Sequence, residues 1–488
     1  MRYFHRIYFL LFFGMLFIYC NFLFKEHSAT VGLRGPGKIV NTQVNVPNAA
    51  LHLAEAIRLP TISAADYYNA ETFKKFRDLI TDTYPEMTNN LSKTQVGNDA
   101  LIYKWEGKNK VAPAIILLSH YDVVPVALKE MSHWHYPPFS GLIQNEFIYG
   151  RGAIDNKFNV IAILEAINIL LKNHFQPSRT IYLILGADEE IGGYKGNAQI
   201  AAYFIQHKIP VAYVLDEGLS ITQKIIPFID SPIAAIGVAE KGNLNIKIVS
   251  DGNSGHSSIA SKHNAIINLC EFLSQLQSHQ PKARWNPILD SMFDSLWPSM
   301  TSPMKMIFSN RWITQSFIKS QLLKYPMTAA LIKTTVTPAI IEGGVKENIV
   351  PSRAEAIVNF RLAPGDTIKV VLDYLNSLAK PFNLEIYVYG SNNHEAIPMA
   401  DIHTSFYTIL SQTIRASFPN TIVAPGLMIA GTDSRHYISL TTNIYRFNPV
   451  MLSKNDIDGI HGANEKLSIG ALNKAIYFYE KLIQGSSS

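Results

Sequence analysis

The chain reads as an α/β protein: a three-layer, mostly parallel sheet domain with a smaller α+β unit inserted into it. Three observations predict this. Short apolar runs alternate with helical spacings between residues 101 and 215, the mark of parallel strands joined by crossover helices. After Asp216 the pattern changes to strands closed by short turns, which suits a small antiparallel sheet. From His403 the first style returns, so the middle stretch interrupts one domain rather than following it.

In order along the chain, residues 7–24 carry no charge and are mostly Phe, Leu, Ile and Tyr, with Arg2, His5 and Arg6 before them and Lys25 after. Residues 1–25 are therefore expected to be a signal peptide or an uncleaved signal-anchor helix, the apolar run falling within the ~17–25 residues that span a bilayer. No small-x-small cleavage site stands near Tyr19, which favours the anchor, and Tyr19 is too bulky to precede a lipidated Cys20. The rest of the chain is then secreted or membrane-anchored, with its main domain extracytoplasmic or lumenal; the flanking charges are too balanced to fix an orientation. Residues 26–46, with Gly, Pro, Thr and Asn and little periodicity, read as a linker.

Residues 47–237 form the first part of the sheet domain. Helical spacing covers 48–58 and 65–84, and strands are expected at 101–106 and 114–119. Trp134, Pro137 and Pro138 make 133–140 a rigid aromatic loop. A helix at 156–172, a strand at 180–185, a helix at 196–206 and a strand at 212–215 complete the alternation. Residues 238–393 are the expected insertion. The strand 233–240 leads through Gly242 into a strand at 244–249. A turn at 251–255, a helix at 263–277 and a helical elaboration at 281–328 follow. Strands at 334–342, 355–362 and 384–389 enclose a helix at 367–378. Residues 394–488 return to the first domain with a helix at 403–417, a strand at 442–447 and a last helix at 465–483.

Composition narrows the function. A chain of 488 residues exceeds one ordinary core, and 47% hydrophobic residues exclude a disordered chain. The net charge of +5 is spread without a dense basic run, which argues against a nucleic-acid partner. Cys20 and Cys270 cannot build a disulfide framework, and no Cys-x-x-Cys occurs.

The chemistry gathers at the strand ends. His120 and Asp122 follow the run 114–119, and residues two apart in an extended chain face one side. Asp155 precedes a helical stretch, and Glu189 and Glu190 follow the run 180–185. Asp216 ends the strand at 212–215, and His461 lies in the loop before the last helix. Each has a plain structural reading: a surface pair for His120 and Asp122, a helix N-cap for Asp155, a turn residue for Asp216, a loop histidine for His461. Adjacent carboxylates such as Glu189 and Glu190 repel, however, and rarely sit at a buried strand mouth without cations. Together these residues offer two imidazoles and enough carboxylates for two divalent metals, where open α/β sheets bind their ligands. Gly150-Arg-Gly152 lacks the third glycine of a dinucleotide fingerprint. Neither a Gly-x-Ser-x-Gly elbow nor a His-Glu-x-x-His occurs, which argues against a serine hydrolase and a single-zinc thermolysin type.

The strings LLSHYDVVP, PPFSGLI, IYGRGAIDNK, VLDEG, SGHSS, ENIVPSRAEAIVNFRLAPGD, GTDSRHY, IYRF and IHGANEK, in this order, resemble the dizinc metallopeptidase family of aminoacylase, carboxypeptidase S and acetylornithine deacetylase. Within it the chain is most similar to the branch of carboxypeptidase S and the secreted mammalian N-fatty-acyl-amino-acid synthase/hydrolase. The likeness runs from about residue 48 to 483. It implies two Zn2+ per chain, with cobalt or manganese as substitutes. His120 and Asp216 would hold one, Glu190 and His461 the other, and Asp155 would bridge them. Asp122 would orient its neighbours, and Glu189 would be the general base. His256 would help hold the tetrahedral oxygen, in dimeric relatives across a subunit boundary; on its own it also reads as a turn histidine capped by Ser257. Asn348, Arg361 and Arg435 match substrate-binding positions, although Arg361 reads equally as an ordinary salt-bridge residue. Asn156 replaces an Asp found in many relatives at a position that is not a ligand, and the loop 132–135 departs from some relatives, which bears on substrate preference.

The resemblance implies a hydrolase acting on a small peptide or N-acyl amino acid and releasing an amino acid, able in principle to run in reverse. The inserted unit would serve as a lid and as a homodimer contact. The alternative, a receptor on the same fold that has lost its chemistry, would be expected to lack a ligand or the base. His120, Asp155, Glu189, Glu190, Asp216 and His461 are all present.

Overall fold

The computed structural model describes residues 46, 48–224, 229–259, 264–382 and 384–487. Ala114–His120 is the central strand of the larger sheet, and all of its residues are buried, as a parallel strand covered on both faces must be. Its side chains alternate between two cores. Ile115 and Leu117 pack with Phe158 and Ile161, while Ile116 and Leu118 pack with Ile200 and Phe204. Each such aliphatic chain contributes about 1.5–3 kcal/mol through burial. The three layers follow from this alternation. Lys157–Lys172 packs on one face, backed by Ala49–Arg58 and Ile469–Ser486, and Asn197–Gln206 covers the other.

Ile181–Gly186 and Val211–Thr222 flank the central strand in parallel, and Ile444–Leu452 adds a fourth parallel strand. Ala100–Trp105 and Ser92–Val96 extend one side antiparallel. On the other side Ile233–Glu240 crosses antiparallel to Ile444–Leu452 and carries Ile422–Met428 as the parallel edge. The α/β class with a mostly parallel centre is therefore as the sequence predicts.

Several short elements, such as Ser92–Val96 and Phe147–Tyr149, are not in the sequence reading, and two further differences bear on the site and the sheet edge. Ile422–Met428 is a strand although Pro425 and Gly426 interrupt it. It lies at the sheet edge, where a residue without an N–H is tolerated, and the pairing shifts at Gly426. The last helix starts at Ile469 rather than 465, because Lys466–Ser468 first pairs with Phe147–Tyr149. Ser468 then caps the helix by accepting from Ala471 N at 3.1 Å.

The smaller sheet is antiparallel, in the order Thr335–Gly343, Arg353–Leu362, Gly242–Asp251 and Leu384–Val388. Ala265–Ser278 and Ile368–Ala379 close a separate core over it, with Leu244, Ile246, Phe272, Val358 and Leu375 buried. The helices of residues 287–330 pack against the larger sheet instead, through Leu289, Phe293 and Ile318 on Ile233 and Ala424.

The chain passes between the sheets at two places that lie side by side. Ile233–Glu240 runs through Lys241 into Gly242–Asp251. The return segment exchanges backbone hydrogen bonds with it: Ile397 N donates to Glu240 O at 2.8 Å, and His394 N to Asn243 O at 2.8 Å. A Cβ on Gly242 would lie 2.6 Å from Ala396 N and His394 O, so only glycine lets the two crossings approach this closely.

No helix among the described residues is long and apolar enough to cross a membrane. The uncharged run at 7–24, expected to be a signal peptide or anchor, lies outside the described residues.

Candidate metal centre

His120 is the last residue of the central strand. Its Nδ1 lies 3.0 Å from Asp122 O and 3.3 Å from Asp122 Oδ1. With the Nδ1 proton donated to Asp122, Nε2 presents its lone pair outward. Nε2 meets Glu217 Oε1 at 2.9 Å and Asp155 Oδ1 at 3.1 Å. The other Asp155 oxygen lies 3.1 Å from His461 Nε2, which is also 3.3 Å from Glu190 Oε2. Asp155 is therefore shared by two imidazoles. It is not the helix cap that its place before 156–172 allowed: Asn156 holds the N-cap position of Lys157–Lys172, without a side-chain cap bond.

Asp122 is buried and accepts from the backbone N–H of Glu189 at 3.3 Å and of Glu190 at 3.1 Å. One carboxylate thus orients the His120 ring and holds the short turn Glu189–Ile191. That turn continues through Gly193 at φ 68°, where a Cβ would collide with Asp433 Oδ1.

Sequence reading names Asp216 as the partner of His120. The structure turns Asp216 away: its carboxylate accepts from Ser434 N at 2.7 Å and Glu217 N at 2.8 Å. Glu217, which the sequence reading passed over, faces His120. Val211–Thr222 is extended through both residues, so their side chains leave on opposite sides. The only signal in the sequence was their adjacency in VLDEG.

The electrostatics are those of carboxylates crowded out of water. Burial raises Glu217 to about 8, with Asp155 and Asp216 adding to the shift and His120 opposing it. Burial also raises Glu189, joined by Asp433, Glu217 and Glu190, and it raises Glu190, joined by Asp155. Hydrogen bonds to Asp155 and Glu190 raise His461 to about 10. Burial alone would raise Asp155, but the bonds to His120 and His461 outweigh it and hold Asp155 well below the usual range.

Imidazole nitrogens this close to carboxylate oxygens need a proton or a cation between them. The ligand atoms of His120, Glu189 and Glu217 lie within 4.8 Å of one another, as do those of His120, Asp155 and Glu190. Glu190 Oε1 is buried without a hydrogen-bond partner among the described residues. The ion pairs these acids make there are with histidines, not with Lys or Arg. Nitrogen and carboxylate donors in this arrangement fit divalent first-row metals.

The remaining candidates lie elsewhere. His256 is exposed, its Nδ1 2.8 Å from Ser258 Oγ, and the structure does not bring it to the carboxylates. It pairs with Ile349, beside Asn348, whose carbonyl accepts from Ser257 N at 3.1 Å. Arg361 is half-buried in Arg353–Leu362; burial and nearby Arg435 lower its pKa while Glu240 opposes. Arg435 is buried and donates to Thr432 O at 2.8 Å and Gly192 O at 2.6 Å.

The pattern of the peptidase family M20/M25/M40 matches residues 116–485. A probable carboxypeptidase S-like 2 of Dictyostelium discoideum is 36% identical over 446 residues, covering 90% of this chain and 85% of that protein. An N-fatty-acyl-amino acid synthase/hydrolase PM20D1 of Xenopus tropicalis is 36% identical over 441 residues, covering 89% and 85%. Among solved structures, the M20 family metallo-carboxypeptidase Sso-CP2 of Sulfolobus solfataricus matches with a TM-score of 0.67 at 22% identity, over 90% of this chain and 99% of that one. Bacillus subtilis YXEP, a dinuclear metal binding peptidase, matches with a TM-score of 0.56 at 15% identity, over 90% and 99%.

Proposed function

The chain belongs to the peptidase family M20/M25/M40, and on that premise we propose that it is a two-metal amidohydrolase whose amine product is an amino acid. The observation that carries the reading is the Asp155 carboxylate, 3.1 Å from the Nε2 atoms of both His120 and His461. His120, Glu217 and Asp155 would hold one dication, and Glu190, His461 and Asp155 the other. When bound, the metals supply Lewis acidity toward the scissile carbonyl and make water a better nucleophile near neutral pH. We infer zinc from the donor set, with cobalt or manganese as substitutes. The fold neighbour described as dinuclear supports a count of two.

Glu189 takes the proton of the attacking water and returns it to the leaving amine. Burial and the neighbouring acids Asp433, Glu217 and Glu190 raise its pKa; bound dications would oppose that shift and keep the carboxylate ready to accept a proton. Asp122 keeps His120 and the Glu189–Ile191 turn in register. Arg361, with Asn348, would read the substrate carboxylate, for which a planar guanidinium is well shaped. The bonds of Arg435 to Thr432 O and Gly192 O support a role in holding the turn that carries Glu189. His256 would approach the tetrahedral oxygen on closure of the small sheet, which makes that sheet and its helices Ala265–Ser278 and Ile368–Ala379 a lid, while the helices of residues 287–330 stay on the larger sheet.

The relatives' names cover carboxypeptidase-like proteins and N-fatty-acyl-amino acid synthase/hydrolases. Both concern an amide bond to an amino acid, and that bond is assigned here; condensation at high amino acid concentration follows from microscopic reversibility. Residues 7–24 would direct the chain to a membrane or anchor it there. A homodimer through the small sheet is supported by its edge strand Thr335–Gly343, where Ile340 and Ile341 are exposed.

The test is purified full chain assayed on N-acetyl, N-fatty-acyl and glycyl dipeptide substrates, with metal content measured in parallel. Two metals per chain and chelator-sensitive release of an amino acid are expected. Undiminished turnover in metal-free protein would overturn the reading.

A further inference from the structure

We propose that Arg151 and Glu465 form a buried positioning pair that assembles the Asp155 and His461 halves of the metal centre as one unit. The proposal rests on the two-metal reading and extends it to residues that touch neither metal nor substrate. Both side chains are almost wholly buried, at 2% and 0% exposure. Arg151 Nη1 donates to Glu465 Oε2 at 2.7 Å, and Nη2 donates to Gly462 O at 3.0 Å. The same Glu465 carboxylate accepts from the backbone N–H of Gly152 at 3.1 Å, Ile154 at 2.7 Å and Asp155 at 3.0 Å. One side chain, anchored just after His461, therefore gathers the turn that ends in Asp155. Arg151 reaches back into the loop that carries His461.

Neighbouring contacts close the same seam. Gly150 N donates to Glu465 O at 2.9 Å, and Phe147–Tyr149 pairs with Lys466–Ser468 beside it. The Trp134 ring lies 5.5 Å from the Arg151 guanidinium and covers it. Asn464 donates to His133 O at 2.9 Å and accepts from His135 N at 2.7 Å.

The His461 loop needs such a clamp. His461 and Asn464 have φ of 58° and 63°, in the left-handed region that side chains adopt at a cost unless surrounding contacts fix it. A buried ion pair is weak evidence for stability, since well-packed apolar residues often do as well. The geometry offers a better reason for this one. A carboxylate can accept several charge-assisted bonds at once, so Glu465 fixes the Asp155 backbone. Asp122 does the corresponding work for Glu189 and Glu190. Loss of the Glu465 clamp should fall more heavily on the metal of Glu190 and His461, which would lose support for both Asp155 and the His461 loop, than on the metal of His120 and Glu217, which shares only Asp155.

The experiment uses full-length wild type, Glu465→Gln and Arg151→Lys. Metal retention is measured after dialysis against graded chelator, cobalt absorption spectra report ligand geometry, and circular dichroism reports folding. Wild type should hold two metals. Each variant should stay folded and bind the metal of His120 and Glu217 at most a few-fold more weakly. It should bind the other ~10–100-fold more weakly, the usual effect of removing a group that orients ligands, with kcat lowered and KM little changed. Arg151→Lys keeps the charge pair and should show a smaller loss of the same metal; it decides the matter if Glu465→Gln does not fold. Wild-type affinity for both metals in the folded variants, or equal weakening of both, overturns the proposal. A wild type holding fewer than two metals overturns instead the two-metal reading beneath it.

Discussion

Asp155 stands between His120 and His461, with one carboxylate oxygen 3.1 Å from each imidazole Nε2. An amide cannot offer two anionic oxygens, so Asp155→Asn should lose both metals together and all measurable turnover. Elemental analysis of the purified variant checks this. Retention of both metals would remove Asp155 from its bridging place.

Glu189 and Glu190 are neighbours with different expected fates. Glu189→Gln should keep both metals and bind substrate but lose ~10²–10⁴-fold in kcat, because an amide cannot take the proton. Glu190→Gln should weaken the metal it shares with His461. Metal content and kcat measured on both variants would show an inverted pattern if the two roles were exchanged.

Asp216 and Glu217 give a sharper comparison. Asp216→Asn disturbs a carboxylate that accepts from two backbone N–H groups, so it should cost about 1–3 kcal/mol of stability with metal content kept. Glu217→Gln replaces the anionic carboxylate whose Oε1 lies 2.9 Å from His120 Nε2 with a neutral amide and should lower metal content. The reverse outcome would return the ligand role to Asp216.

Metal uptake should depend on pH through His461. Hydrogen bonds to Asp155 and Glu190 raise its pKa from 6.5 to about 10. The sign is that of a cation stabilised by partners. The charged pairing contributes fully below the unfolded value and is lost as pH rises through the folded one. A metal must displace that proton, so affinity should rise with pH toward 10 and binding should release protons. Titration calorimetry in two buffers of different ionisation enthalpy measures the release; zero net release at neutral pH would count against the assignment.

His256→Ala should keep both metals and the fold while kcat falls ~10²–10³-fold, the effect of removing one oxyanion donor. Unchanged turnover would limit His256 to its bond with Ser258.

Much of this molecule is legible in the sequence because its strands are apolar and its chemistry sits at their ends. The all-apolar run before His120 identifies a strand buried on both faces and locates the site. The choice between Asp216 and Glu217 is not legible, since adjacent residues on an extended strand face opposite sides and the pattern carries no absolute register. The edge strand Ile422–Met428 is hidden by Pro425, whose cost depends on a sheet position that the sequence does not state. The Arg151–Glu465 contact joins residues 314 apart, each of which reads alone as an ordinary charged loop residue.

The paired crossings at Glu240–Asn243 and His394–Ile397 also bear on how such a chain can be rebuilt. Because departure and return are neighbours bonded to one another, the excursion between them is topologically a long hairpin hung from one strand end. The smaller sheet within it can be lengthened or trimmed without re-threading the metal-bearing sheet, whereas the helices of residues 287–330 are held on Ile233 and Ala424. Changes in the smaller sheet would therefore leave the order of the ligand-bearing strands intact.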